Sequence, residues 1–372
     1  MVEWKKLGEV SGRNKGIPIT AGQMSELASK DGNVRVFAAG STIADIDESL
    51  LPKNCTHKLP SIIVKSRGYI DFEFYEKPFT HKNEMWSYSF DNKQEGKFIY
   101  YFLTTQTDFF RNKAKANSVK LPQLCVADTD NYLIPIPSLE EQTRIVGILD
   151  TFTASIDNLK EQIAQRRKQY EFYRDQLLDL EGKEGVEMKA LGEICDIFDG
   201  THQTPHYTES GIRFVSVENI KNLRASTKYI SAQDYEVNYR VKPQRNDVLM
   251  TRIGDVGSCA IINFDEPIAY YVSLSLLRPN HDCVISNYMK YLLESQTGRR
   301  EIRKRTLLTA VPLKINLGDI GKLVLPVPSL SEQRRIVSIL DTFESSIQNL
   351  EAQLSQREKQ YEYYRNKLLT FE

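Results

Sequence analysis

Cysteine is sparse in this 372-residue chain, and its five copies are scattered: Cys55, Cys125, Cys195, Cys259 and Cys283. None belongs to a Cys-x-x-Cys pair, and the count is odd. That pattern argues against a disulfide scaffold or a zinc knuckle, and for reduced intracellular thiols. Long hydrophobic runs are missing too. Nothing approaches the roughly 20 apolar residues of a membrane helix. The opening Met1-Val2-Glu3-Trp4-Lys5-Lys6 leads into no apolar signal core. A soluble, cytoplasmic protein with no membrane partner is expected. Net charge is absent as well: 49 Lys and Arg offset 49 Asp and Glu. A chain that coats nucleic acid by bulk charge is thereby excluded, but local basic faces are not.

Familiar catalytic signatures are also lacking. There is no G-x-x-x-x-G-K-[ST] phosphate loop, no G-x-S-x-G elbow and no H-E-x-x-H pair. The N-P-P-Y or D-P-P-Y stretch that an amino-methyltransferase would use to grip an adenine does not occur. Glu95-Gly-Lys97, Glu181-Gly-Lys183 and Glu187-Met-Lys189 match a nuclease E-x-K by letter, but none follows a Pro-Asp. They read as chance matches. His202 and His206 have the i, i+4 spacing of a metal pair, yet Pro205 lies between them and no acidic ligand is adjacent. The chain reads as a binder with no catalytic, cofactor or metal site of its own.

What is present is ordinary globular composition, 41% apolar and 26% charged, long enough for about two to three domains. It is also written twice. Pro135-Ile-Pro-Ser-Leu-Glu-Glu-Gln142 runs on to Leu178, and Pro326-Val-Pro-Ser-Leu-Ser-Glu-Gln333 runs on to Leu369. Overlaid without a gap, about 29 of roughly 44 positions are identical. The residues opening each module also agree, Trp4-Lys5-Lys6-Leu7-Gly8-Glu9 against Met188-Lys189-Ala190-Leu191-Gly192-Glu193, and the long segments after them diverge. Alike parts suggest one shared job; unlike parts suggest two different jobs.

Each alike segment predicts a long helix. Ser138 and Ser329 stand at an N-cap with Glu141 and Glu332 three residues on, the spacing of a capping box. Pro-x-Pro blocks helix upstream. Forty-odd residues give a rod of about 60 Å. The apolar steps of four and three run Ile145, Leu149, Phe152, Ile156, Leu159, Ile163, Arg166, Tyr170, Tyr173, Leu177. The second copy runs Ile336, Leu340, Phe343, Ile347, Leu350, Leu354, Arg357, Tyr361, Tyr364, Leu368. Two sustained heptad seams in one chain predict an antiparallel intramolecular coiled coil with pseudo-two-fold symmetry. Arg166 and Arg357 interrupt the seam at one place, either as snorkelling side chains or as a register pin. The extra aromatic surface of Tyr170–Tyr173 and Tyr361–Tyr364 is expected to pack on the neighbouring domain.

The unlike segments read as small α+β domains. Strands are expected at 62–65, 72–75, 212–217, 248–251, 259–262 and 274–277, and helices at 97–115 and 287–305. The division is therefore residues 1–134, a first domain; 135–182, a helix; 183–325, a second domain; and 326–372, a second helix. Positive charge collects at the end of each domain's helix: Arg299, Arg300, Arg303, Lys304 and Arg305 in one, Arg111, Lys113, Lys115 and Lys120 in the other. Such clusters suit phosphates; a solvated helix C-terminus complementing its dipole has the same look. The loop Thr251-Arg252-Ile253-Gly254-Asp255-Val256-Gly257 allows close approach of a ligand, with Arg252 able to fork onto guanine, unless it is an ordinary hairpin. Thr201, His202 and Gln203 form a polar loop with base-reading side chains.

The paired Pro-x-Pro-Ser-Leu-x-Glu-Gln motifs, each opening a coiled-coil helix after an unlike domain, resemble the specificity subunit of type I restriction–modification systems. The Lys-x-Leu-Gly-Glu openings at 5–9 and 189–193 fit that family, as does the strand–loop–strand of residues 247–257. The first domain departs from it: Lys65-Ser66-Arg67-Gly68-Tyr69 stands where a second Thr-Arg-x-Gly is expected, which leaves Arg67 as its candidate contact. The resemblance spans essentially the whole chain. It implies a non-catalytic subunit with two target-recognition domains, each reading half of a split site on double-stranded DNA. The helices would set the spacer and dock two modification subunits that bring S-adenosylmethionine. Restriction and translocation subunits are further partners it implies. The residues alone leave open a coiled-coil scaffold displaying two protein-binding domains, or an enzyme with an unread site.

Overall fold

The computed structural model describes residues 2–118 and 120–371. The chain is mixed α and β and divides into two compact units, residues 1–160 with 352–372, and residues 161–351.

In the first unit a four-stranded antiparallel sheet has the order Gly12–Lys15, Trp86–Ser89, Ser61–Lys65, Asp71–Tyr75. A second sheet of three strands orders Ile43–Ile46, Val34–Phe37 and Phe79–His81, the last two parallel. The second unit repeats this plan in unlike residues. Its four strands are Cys195–Asp199, Leu274–Pro279, Val248–Thr251 and Cys259–Ile261, and its three are Tyr229–Ile230, Ile212–Val215 and Ile268–Tyr270. The central strands Ser-Ile-Ile-Val-Lys and Val-Leu-Met-Thr are buried on both faces, so they read as continuous apolar runs. The segments that diverged in sequence therefore kept one topology.

Each helix expected to run unbroken is two. In the first unit Lys93–Thr105 ends at Gln106 and Thr107–Asn117 follows. In the second, Ser286–Glu294 and Gln296–Arg305 are parted by Ser295, whose extended backbone stops the first helix and whose hydroxyl accepts from Gly298 N. A Cβ at Gly298 would lie 2.1 Å from the Leu292 carbonyl oxygen, so the turn closes only on glycine. Serine and glycine mid-segment were the signal for this break.

The alike parts of each module meet in space. Glu3–Lys6 pairs antiparallel with Leu133–Ile136, and Glu187–Ala190 with Val324–Val327. Pro135 lies opposite Trp4 and Pro326 opposite Met188. Two-stranded ribbons tolerate a proline that a central strand would not.

The long helices are Leu139–Leu178 and Leu330–Leu368. Only half of the expected capping box forms. Ser138 and Ser329 accept from the N3 amides at 3.3 and 3.4 Å. The glutamates instead fork onto Arg144 and Arg335, which share their exposed turn. The glutamine of the motif is buried in both copies: Gln142 Nε2 donates to Pro137 O at 3.0 Å, and Gln333 Nε2 to Pro328 O at 2.9 Å.

Within each unit, half of one long helix lies antiparallel on half of the other. In the first, Phe152 stacks on Tyr364 and Lys160 reaches Glu358. In the second, Tyr173 stacks on Phe343 and Arg167 reaches Glu351. Both ring pairs lie 5.4 Å apart at 28°. The seam arginines sit over those rings, Arg357 5.7 Å from Phe152 and Arg166 5.8 Å from Phe343. Each is thus a cation–π contact, worth about 0.5–2 kcal/mol. Of the aromatic runs, Tyr170 packs on Tyr291 of the domain, while Phe172 and Tyr363 are exposed.

The first domain also buries a titratable group. His81 has no exposed surface; Nε2 lies 3.2 Å from Ser87 Oγ and the ring stacks on His57. Burial is the main cause that lowers its pKa to about 4. The unfolded chain, with a histidine near 6.5, takes up the proton first, so stability falls as pH drops from 6.5 to 4. The loss is on the order of 3 kcal/mol. Urea unfolding across pH 4–7 checks it: His81→Phe should flatten that slope, and an unchanged slope would assign it to other groups.

Candidate nucleic-acid interface

Three features separated in sequence come together in the second unit. The hairpin between Val248–Thr251 and Cys259–Ile261 carries Gly254 at φ +84° and Gly257 at φ +95°, a region open to glycine. Arg299, from the basic helix, donates to Val256 O at 3.0 Å and approaches Ser258 Oγ. The loop of Thr201, His202 and Gln203 joins through Asp199, the last residue of its strand.

Arg252 is not where the sequence reading put it. Its side chain is only 10% exposed, and Nη2 contacts both carboxylate oxygens of Asp199 at 2.8 and 3.0 Å. Residue 252 directly follows the strand, its N donating to Ser273 O at 2.9 Å, and this sets its side chain beside Asp199 at the end of Cys195–Asp199. A buried guanidinium held by a carboxylate is not offered to guanine. Asp199 also accepts from the His202 ring, Nε2 to Oδ2 2.8 Å. The carbonyl of Asp199 accepts from Tyr270 Oη at 2.9 Å, and a Cβ on Gly200 would strike the Tyr271 backbone at 2.5 Å. Thr201, His202 and Gln203 thus begin a loop with a clamped base and an exposed crest. At its side Tyr239 is buried, which pushes its hydroxyl up to about 12.

The basic cluster is partly spent. Arg300 pairs with Glu181 at 2.6 Å, Lys304 and Arg305 share Glu301, and Arg299 is tied to the hairpin. Arg303 is exposed and has no ion pair among the described residues. Following it, residues 306–314 expose Leu307, Leu308, Val311 and Leu313, Val311 by 99%. This tip lies against the hairpin, Gly254 N donating to Leu313 O at 2.8 Å and Ile253 bridging Lys314. Sequence reasoning missed it, because an aperiodic apolar stretch carries no element signal.

The first unit has the same frame with other side chains. Gly68, at φ +76°, donates to Pro122 O as Gly254 does to Leu313 O, and Arg67 bridges Gln123 as Ile253 bridges Lys314. Arg67 therefore answers to Ile253, and it is exposed. Buried Ser66 answers to Arg252. Strand register likewise sets Lys15, opposite Trp86, where the second unit has Asp199, opposite Ser275. Arg111 lies 5.2 Å over the Tyr69 ring, bonds its hydroxyl, and pairs with Asp108, so the first cluster does contain an acid nearby. Lys113 and Lys115 are exposed. No group of three or more His, Cys, Asp or Glu that could hold a metal occurs among the described residues, and no described helix is long and apolar enough to cross a membrane.

Comparison with known proteins agrees with this architecture. A family model described as the type I restriction modification DNA specificity domain matches residues 1–166 and again 183–358. A type I restriction enzyme specificity subunit of Escherichia coli is 29% identical, covering 100% of this chain and 94% of that protein. A putative type I restriction enzyme specificity subunit of Haemophilus influenzae is 28% identical, with 100% and 96% covered. The crystal structure of a type I restriction–modification S subunit from M. genitalium superposes with a TM-score of 0.66 at 17% identity, covering 100% of this chain and 97% of that one, and so shares the fold. Two copies of the domain model, on two units of one topology, place this chain in the type I restriction–modification DNA specificity family.

Proposed function

We propose that this chain is the non-catalytic DNA-reading subunit of a type I restriction–modification complex. Each domain reads one half of a bipartite site on double-stranded DNA. The two long helices set the spacer and dock two modification subunits, which carry S-adenosylmethionine; restriction and translocation subunits join that assembly. The observation that carries the reading is the split between parts. Two domains of one topology differ in the residues at their loops, while the ribbons pair in the same way, the glutamine anchors repeat, and the helix segments are identical at about 29 of roughly 44 positions. Unlike readers on like docking elements are what two half-sites and two equal partners require. Exposed Arg303, Lys113, Lys115 and Lys120 are the candidates for phosphates, because Arg111, Arg299, Arg300, Lys304 and Arg305 of the same clusters already hold partners. Arg67 and the loop of Thr201, His202 and Gln203 are the candidates for bases.

The test is affinity for cognate and substituted duplexes at several salt concentrations, in the assembled complex. Affinity should fall steeply with salt. Arg303→Ala should lower the slope of log K against log salt by roughly one and weaken all sequences alike. A shift in base preference would move Arg303 to the base-reading set. Binding with no dependence on salt would favour a protein-binding scaffold.

A further inference from the structure

We propose that His202 reads a base in the second half-site as a hydrogen-bond acceptor, with Asp199 and the buried Arg252 fixing its tautomer. The proposal rests on the reading that this domain binds DNA, and it names the chemistry at one position.

The imidazole stands on the crest of the loop with its side chain 71% exposed. One nitrogen is committed: Nε2 lies 2.8 Å from Asp199 Oδ2. A carboxylate only accepts, so Nε2 carries the proton, and the form that reads is the neutral ring, whose lone pair lies on Nδ1. Nδ1 has no partner among the described residues. Asp199 cannot swing away, because Arg252 Nη2 holds both its oxygens and Tyr270 holds its carbonyl. Arg252 Nε is buried without a partner among the described residues. A buried pair with an unmade hydrogen bond is a poor stabiliser, so its value lies in the placement of Asp199.

An acceptor in the major groove selects an exocyclic amino group, N6 of adenine or N4 of cytosine; guanine and thymine offer acceptors there. The first domain has Lys15 and Ser66 at the corresponding places and lacks the device. Two domains of one frame thereby acquire different readouts. His202 touches the base in this scheme. Asp199 and Arg252 are positioning residues that act through it.

The experiment uses the complex with its modification subunits, the second half-site being taken from its methylation pattern. Probe duplexes replace each adenine of that half-site by purine, or each cytosine by pyrimidin-2-one, removing one amino group at a time. The wild-type complex should lose about tenfold in affinity at one position, the worth of a single hydrogen bond. His202→Ala, an exposed change, should lose nothing further there. Asp199→Asn should go beyond loss. Its Oδ1 still accepts from Arg252, but its amide donates to Nε2, which moves the ring proton to Nδ1. Preference at that position should then turn toward guanine or thymine. Undiminished amino-group discrimination in His202→Ala overturns the proposal, as does an unchanged base preference in Asp199→Asn. A wild-type complex that binds no duplex overturns the DNA reading itself and this proposal with it.

Discussion

Exchange of residues 11–131 for the matching segment of another specificity subunit should change one half of the methylated site and leave the other half intact. The cut falls between the two strands of the first ribbon, so Glu3–Lys6 and Leu133–Ile136 stay paired, and Leu7 N keeps its bond to Tyr132 O. The core of the three-stranded sheet, with Met24, Val34, Val36, Ile46 and Leu51, lies wholly inside the exchanged segment. The seam with the long helix does not. Tyr101 donates to Asp150 at 2.6 Å and Lys97 pairs with it at 2.7 Å, so the donor should keep both residues. The second unit repeats this anchor, Tyr291 to Asp341 at 2.6 Å. Each wrong base pair costs about 1–3 kcal/mol, so a half-site changed at three or four base pairs means a change of roughly two or more orders of magnitude in preference. Methylome sequencing of cells carrying the chimera reads the outcome. If both halves changed together, the assignment of one domain to one half would fail.

The largest expected loss of stability is at Asp247. Its side chain is 3% exposed and accepts from Arg278 Nε at 3.0 Å, Arg278 Nη2 at 2.7 Å and Gln244 N at 2.8 Å. The pairing holds the Arg278 pKa above its usual value, Asp247 being the main cause. Asp247→Ala leaves that guanidinium without its counter-charge beside the four-stranded sheet, which should cost about 3–5 kcal/mol. Asp247→Asn keeps one acceptor and should cost less. Denaturant unfolding measures the global effect, and amide exchange in Val248–Thr251 locates it. A loss under about 1 kcal/mol would mean water already reaches the pair. In the first unit the same register holds Ser61 and Ser89, hydroxyl to hydroxyl at 2.7 Å, with Asn14 beside them. One frame thus closes its sheet with a buried ion pair in one copy and neutral hydrogen bonds in the other.

Much of this protein was legible from residues alone, and the reason is periodicity. A step of four and three maintained from Ile145 to Leu177, and again from Ile336 to Leu368, permits a helix with one buried stripe and little else. Strands such as Ser61–Lys65 and Val248–Thr251 were legible because full burial demands unbroken apolar runs. Family and duplication followed from the same repeated motif. Side-chain direction was not legible. Arg252 in a glycine loop looks presented to a ligand, and only the fold, by setting Asp199 of a distant strand against it, turns it into a support for His202. Within the basic cluster only Glu301 stands as a local counter-charge, and it takes Lys304 and Arg305; that Glu181, remote in sequence, claims Arg300 is decided by the fold. Local sequence determines which elements form, because hydrogen bonding and burial within an element depend on near neighbours. Partners of polar side chains are chosen by contacts far apart along the chain, and those exist only once the sheets have closed.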